Sequence, residues 1–188
     1  MKITVFGGAN PKPGEPAYEE ALQLGRLLAQ SGYIVLNGGY IGTMEAVSKG
    51  AAEMGGHVIG ITCQEIERWR KTQANPWLNE EWHLQTLDQR LLALIDNCDA
   101  ALALPGGVGT LLEISMTWNR LIIKAIAVRP LILIGPGWRS VIASFHEQQG
   151  QYLTERDQQW LSFANTVEEA VEKLQSHFAA APEGMQKN

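Results

Sequence analysis

Ala101-Leu102-Ala103-Leu104-Pro105-Gly106-Gly107-Val108-Gly109-Thr110-Leu111-Leu112-Glu113 is the stretch that decides how this chain is read. Its apolar opening has the length and composition of a buried strand. Proline and three glycines follow, a turn with no side chains in the way of a close approach. Thr110 is placed to cap a long helix running to about Ile126. A helix start favours an anion, through its unpaired N–H groups and the positive end of its dipole. The stretch therefore predicts a phosphate cradle, with the Glu113 carboxylate one turn into the helix beneath it. Thr110 and Glu113 also have the T-x-x-E spacing of a capping box, in which the carboxylate reaches back to the Thr110 amide. The box explains their spacing equally well.

Working outward, Ile3–Phe6 is a short β-rich run that ends in Gly7-Gly8-Ala9-Asn10. A helical pattern covers Pro16 to Gln30, with Ala21, Leu24, Leu27 and Leu28 on one face. Ile34-Val35-Leu36 reads as a second strand. Asn37-Gly38-Gly39-Tyr40-Ile41-Gly42-Thr43 is a second glycine-rich turn opening a helix, and Val58–Ile61 is a third strand. This alternation predicts an α/β, doubly wound, Rossmann-like parallel sheet with helices on both faces. Residues 64–83 break the rhythm with Trp69, Trp77 and Trp82, a candidate lid or partner surface, or simply a packed connection. A helix from Leu87 to Asn97, a strand at Leu131–Ile134 and a helix through Phe145 continue the pattern. Trp160–Ala164 reads as a sixth strand or a docked loop, and Thr166 with Glu169 as the capping box of a last helix. One domain spans residues 1–180, and 181–188 read as a flexible tail.

Ligands of doubly wound sheets bind outside the carboxyl ends of the strands, where the strand order reverses. Gly8, the Gly38-Gly39-x-x-Gly42-Thr43 turn and the Pro105–Thr110 turn all follow strands, so they are candidates to line one pocket for a phosphorylated small molecule. The G-x-G-x-x-G dinucleotide spacing is missing after the first strand.

At 188 residues, 45% apolar and 19% charged, the composition is that of an ordinary globular domain. A formal charge of −5 argues against a nucleic-acid polymer as partner, since that work needs a basic face. Cys63 and Cys98 stand alone among core-like residues, and no His/Cys spacing suggests a metal. Without a signal-peptide pattern or a membrane-length apolar run, the chain is expected to be cytoplasmic, with no membrane partner.

Pro105-Gly106-Gly107-Val108-Gly109-Thr110-Leu111-Leu112-Glu113 resembles the PGGxGTxxE motif of the LONELY GUY family of nucleoside 5'-monophosphate phosphoribohydrolases. Val5–Ala9 matches that family's VFCGS-like strand end, and Asn37–Met44 with Gly55–Gly60 follows its GGGxxGLM…GGxVIG stretch. Arg90 falls on the arginine of its MHxRK segment, and Thr117-Trp118 also match. The resemblance covers about residues 3 to 145. Three departures stand out. MHxRK reads Leu87-Asp88-Gln89-Arg90-Leu91, Leu112 replaces a frequent second glutamate, and Gly7 and Ala9 replace a cysteine and a serine.

The resemblance implies that Arg90 and Glu113 are catalytic. It also implies that Gly107, Val108, Gly109 and Thr110 hold a 5'-phosphate while an N-glycosidic bond is hydrolysed, and that the protein is a homodimer. Taken alone, Arg90 reads as a surface arginine on a helix. No lysine lies in a motif that would bury it for a pyridoxal Schiff base, so no cofactor is expected. The alternative is a non-catalytic carrier of a nucleotide or of molybdenum cofactor, using the same cradle.

Overall fold

A computed structural model describes residues 1–180. Seven strands carry the fold: β1 (Lys2–Phe6), β2 (Ile34–Asn37), β3 (Val58–Cys63), β4 (Glu80–Leu84), β5 (Ala100–Ala103), β6 (Leu131–Ile134) and β7 (Ser162–Ala164). All their pairings are parallel, in the order β4-β3-β2-β1-β5-β6-β7. The doubly wound sheet expected from the sequence is the observed one. Within Trp160–Ala164, Ser162–Ala164 form a strand, with Phe163 beside Leu133.

Because strand side chains alternate between faces, the sheet divides its apolar residues between two cores. Ile3, Val5, Val35, Leu102 and Ile132 pack one face against helices α1 (Pro16–Gln30), α2 (Thr43–Glu53) and α8 (Val167–Ala180). Phe6, Leu36, Ile61, Ala103 and Leu133 pack the other face against α4 (Leu87–Asp96), α5 (Val108–Ile122) and α6 (Pro136–Gln149).

The segment that breaks the rhythm contains a helix, α3 (Gln64–Arg70), and the edge strand β4. On β4, Trp82 and Leu84 pack partly against the second core while Glu80, Glu81 and His83 stay exposed. Charged side chains of this kind keep an edge strand from pairing with other chains. Asn75 ties the intervening loop down. Its amide donates to the Gly39 carbonyl at 2.8 Å and its side chain to the Tyr40 carbonyl at 3.1 Å.

Several boundaries differ from the sequence reading. Helix α5 begins at Val108 after Gly107 and ends at Ile122, and α6 runs on to Gln149. A short helix, α7 (Glu155–Gln158), precedes β7. In α8, Thr166 accepts from the Glu169 amide at 3.2 Å, but the Glu169 carboxylate takes the Asn165 amide at 2.7 Å. Among the described residues no helix is long and apolar enough to cross a membrane. The tail expected at 181–188 lies outside the described residues.

Candidate active site

The strand order reverses between β1 and β5, which are neighbours in the sheet. Loops leaving adjacent strands in opposite directions open a crevice above the sheet. The loop after β1 carries Gly7–Asn10 and the loop after β5 carries Leu104–Gly107. They touch: the Gly8 amide donates to the Pro105 carbonyl at 3.3 Å, and a Cβ on Gly8 would stand 3.4 Å from Gly106 Cα. A cavity of about 430 Å³ occupies this crevice, lined by both loops, the start of α5, and side chains from α3 and α4.

Helix α5 enters the cavity with its first turn. No side chain caps it, so its first amides have no acceptor within the helix. A Cβ on Gly107 or Gly109 would meet nothing within 4 Å, whereas one on Gly106 would strike Thr110 Oγ1 at 2.2 Å. Val108 is exposed and Thr110 is buried. Of the predicted phosphate-binding residues, Gly8, Gly107, Val108, Gly109 and Thr110 line the cavity. Pro105 and Gly106 do not; they shape the loop behind it.

The second glycine-rich loop has a different task from the one expected. Gly38, Gly39, Gly42 and Thr43 do not line the cavity. Gly42 adopts φ +76° and a Cβ there would fall 2.5 Å from the Gly8 carbonyl. That carbonyl receives both the Thr43 amide, at 2.9 Å, and the Thr43 hydroxyl, at 3.0 Å. The loop thus buttresses the first one from behind and sends only Tyr40, and Met44 from α2, into the cavity wall.

Arg90 and Glu113 meet at the cavity, with Nη1 and Oε1 3.9 Å apart and both side chains largely buried. The capping box suggested by the T-x-x-E spacing does not form: Thr110 lies inside the first turn, no side chain caps α5, and Glu113 pairs with Arg90. Arg90 comes from α4, whose N-terminus is held by a true capping box between Thr86 and Gln89. Its Nε donates to the Ile61 carbonyl at 2.7 Å and its guanidinium lies 5.6 Å from the Tyr40 ring centre. Gly38 makes the room: a Cβ there would sit 1.7 Å from Arg90 Nη2. Burial pushes the Glu113 carboxyl up to about 7, with Arg90 opposing the shift. Burial likewise pushes the Tyr40 phenol up to about 12. It stays protonated and donates to the Cys63 carbonyl at 3.0 Å.

The residues that sequence reasoning did not place in the site are mostly apolar. Ile66 and Trp69 of α3, Leu87 and Leu91 of α4, and Leu112 of α5 all line the cavity, with Arg70 and Asn10 beside them. All three departures from the resembling family reach the cavity wall, through Leu87 and Leu91, through Leu112, and through Gly7 and Ala9. Elsewhere, Glu67, Glu81 and His83 bring their donor atoms within 4.8 Å of one another, a set that suits a divalent cation. Sequence spacing hid this cluster because α3 supplies one member and β4 the other two. Its donors are engaged: the Thr62 hydroxyl donates to Glu81 at 2.6 Å, and His83 Nδ1 lies 3.4 Å from Glu67. None of the three lines the cavity.

Residues 1–169 match the family described as the SLOG cluster4 family. The chain belongs to that family. As an SLOG cluster4 member it is a distant relative of the LONELY GUY proteins. It is 29% identical over 182 residues to cytokinin riboside 5'-monophosphate phosphoribohydrolase LOG3 of Arabidopsis thaliana, covering 94% of this chain and 82% of that one. It is 33% identical over 123 residues to the probable enzyme of the same name, LOGL5, of Oryza sativa, a match spanning 64% of this chain and 49% of the rice protein. Among solved structures it resembles the molybdenum cofactor binding protein of Rippkaea orientalis at a TM-score of 0.72 and 24% identity, over 94% of this chain and 96% of that one. That last likeness shows the fold alone.

Proposed function

We propose that this protein hydrolyses the N-glycosidic bond of a nucleoside 5'-monophosphate, an AMP-like nucleotide or a cytokinin riboside monophosphate, to free base and ribose 5-phosphate. The observation that carries the reading is the buried Arg90–Glu113 pair in the same cavity as the uncapped first turn of α5. The names of the Arabidopsis and rice relatives support the same reaction.

The amides of Val108, Gly109 and Thr110 hold the phosphate, and that remote binding positions the sugar over Glu113. Water adds to the anomeric carbon while the bond to the base breaks. The electron pair leaves on the base nitrogen, which takes up a proton from solvent. Ionised Glu113 stabilises the positive charge that develops on the sugar and accepts the proton of the attacking water. With the carboxyl up to about 7, its ionised fraction grows as pH rises through neutrality. Arg90 keeps that carboxylate in place, and its planar fork suits a bidentate hold on ribose hydroxyls.

A carrier of nucleotide or molybdenum cofactor would use the same loop. It has no need of a buried carboxylate set against an arginine, which is why hydrolysis is preferred. We place the protein in the cytoplasm as a homodimer. Trp118 and Leu121 of α5 are buried in the second core and so are not free for a partner. Leu111 and Leu112 of α5 and Ile123 just past its end are exposed, and we assign the contact to them. Incubating the purified protein with a panel of nucleoside 5'-monophosphates and assaying ribose 5-phosphate tests the reading. A nucleotide that raises the melting temperature without being cleaved would favour the carrier.

A further inference from the structure

The hydrolytic reading accounts for the phosphate and the sugar but leaves the α3 side of the cavity without a task. Helix α3 is seven residues long and buries none of them. Trp69 on that helix is 75% exposed and yet lines the cavity. An indole left in water at the mouth of a cavity contributes nothing to the core that folds the chain. Around it the wall is apolar, made of Ile66, Leu87 and Leu112. Arg70 stands at 4.9 Å from the Trp69 ring centre, a cation set against the indole face. Tyr40, which also borders the cavity, spends its hydroxyl on Cys63. Neither α3 nor α4 offers a carboxylate or amide side chain to the cavity; the amide that lines it, Asn10, comes from the loop after β1.

We infer that Trp69 is the stacking platform for the base, and that the protein selects its nucleotides by the area of the base rather than by its hydrogen-bonding edge. Within the nucleotide class already proposed, such a platform favours the larger base face, so a purine 5'-monophosphate binds ahead of a pyrimidine one. Stacking of a base on an aromatic side chain is tolerant of base identity because every base has a π-face, and larger faces gain more. The inference rests on the nucleotide reading of the cavity and adds the recognition of the base to it.

The test is calorimetric binding in a Glu113→Gln background, in which turnover is strongly depressed, with AMP, CMP and ribose 5-phosphate as the three probes. Trp69→Ala removes no buried contact of α3, so the fold is retained. AMP affinity is expected to fall about 5- to 150-fold, the range for loss of one stacked base. Ribose 5-phosphate affinity, which involves no base, is expected to stay within about twofold on the same ground. Trp69→Phe restores most of the AMP affinity, AMP binds more tightly than CMP before substitution, and AMP quenches part of the emission of the six tryptophans, a quenching that Trp69→Phe abolishes. Equal loss for AMP and ribose 5-phosphate, or unchanged AMP binding, overturns the platform while leaving the phosphate site standing. Failure of both AMP and ribose 5-phosphate to bind before substitution overturns the nucleotide reading and the platform with it. Dissociation of a dimer by Trp69→Ala with AMP affinity intact assigns the indole to the interface and also overturns the proposal.

Discussion

Replacing Glu113 with glutamine changes the pH dependence of stability by an amount set by its burial. The folded carboxyl titrates at about 7 against an ordinary value of 4.5, raised by burial and partly held back by Arg90. A folded group that holds its proton more tightly than the unfolded chain stabilises the fold fully below the unfolded value. That contribution is lost as pH rises through the folded one. The separation of about 2.5 pH units corresponds to about 3 kcal/mol at 1.36 kcal/mol per unit. Glutamine has nearly the same shape and does not titrate. Between pH 4.5 and pH 8.5 the stability of Glu113→Gln relative to the unsubstituted protein is therefore expected to rise by about 3 kcal/mol. Urea unfolding of both proteins at a series of pH values measures this, and every other titrating group cancels in the difference. A difference that is flat with pH would mean that Glu113 is solvated, and a falling one that Arg90 outweighs burial. Either result refutes the reasoning.

Gly107→Val and Gly109→Val place side chains in space that is open in the fold. Nucleotide affinity should fall at least tenfold with unphosphorylated nucleoside binding and melting temperature little changed, since each lost charge-assisted hydrogen bond is worth about 1.5–3 kcal/mol; equal losses for both ligands would assign the loop to folding. Gly38→Ala drives a methyl into the Arg90 guanidinium, so turnover should fall while phosphate binding, read by calorimetry with inorganic phosphate, is kept. Light scattering at micromolar concentration should give twice the chain mass of 20.7 kDa, and adding Ile123→Lys should reduce it to that of one chain.

The sheet was legible because its central strands are short, apolar on both faces and separated by helices with clear stripes. Edge strand β4 was not, because Glu80, Glu81 and His83 carry no burial signal and its pairing with β3 is a tertiary event. Thr110 mimicked a cap because it lies in the first turn of α5, while the true N-cap, Gly107, has no side chain to announce it. The glycine-rich turns looked equivalent in sequence. In the fold one faces the cavity, and the other spends Gly38 on Arg90 and Gly42 on the Gly8 carbonyl. Arg90 by itself reads as one more helix arginine. Its partners Ile61, Tyr40 and Glu113 lie 23 to 50 residues away and come together only when the sheet closes.

The central claim is that Glu113 and Arg90 act together on a nucleotide held by the first turn of α5. Ribose 5-phosphate release from AMP by the unsubstituted protein, Glu113→Gln, Arg90→Ala and the double variant tests it most directly. The expected result is steady release by the unsubstituted protein, rising as pH passes through about 7 where the carboxyl ionises. Glutamine at 113 should depress turnover by about two to three orders of magnitude with AMP binding retained, on the scale of losing one electrostatic stabiliser of the transition state. The loss in the double variant should fall well short of the sum of the single losses, as for groups that act as a unit. Full activity in Glu113→Gln would contradict the mechanism, whatever the protein binds.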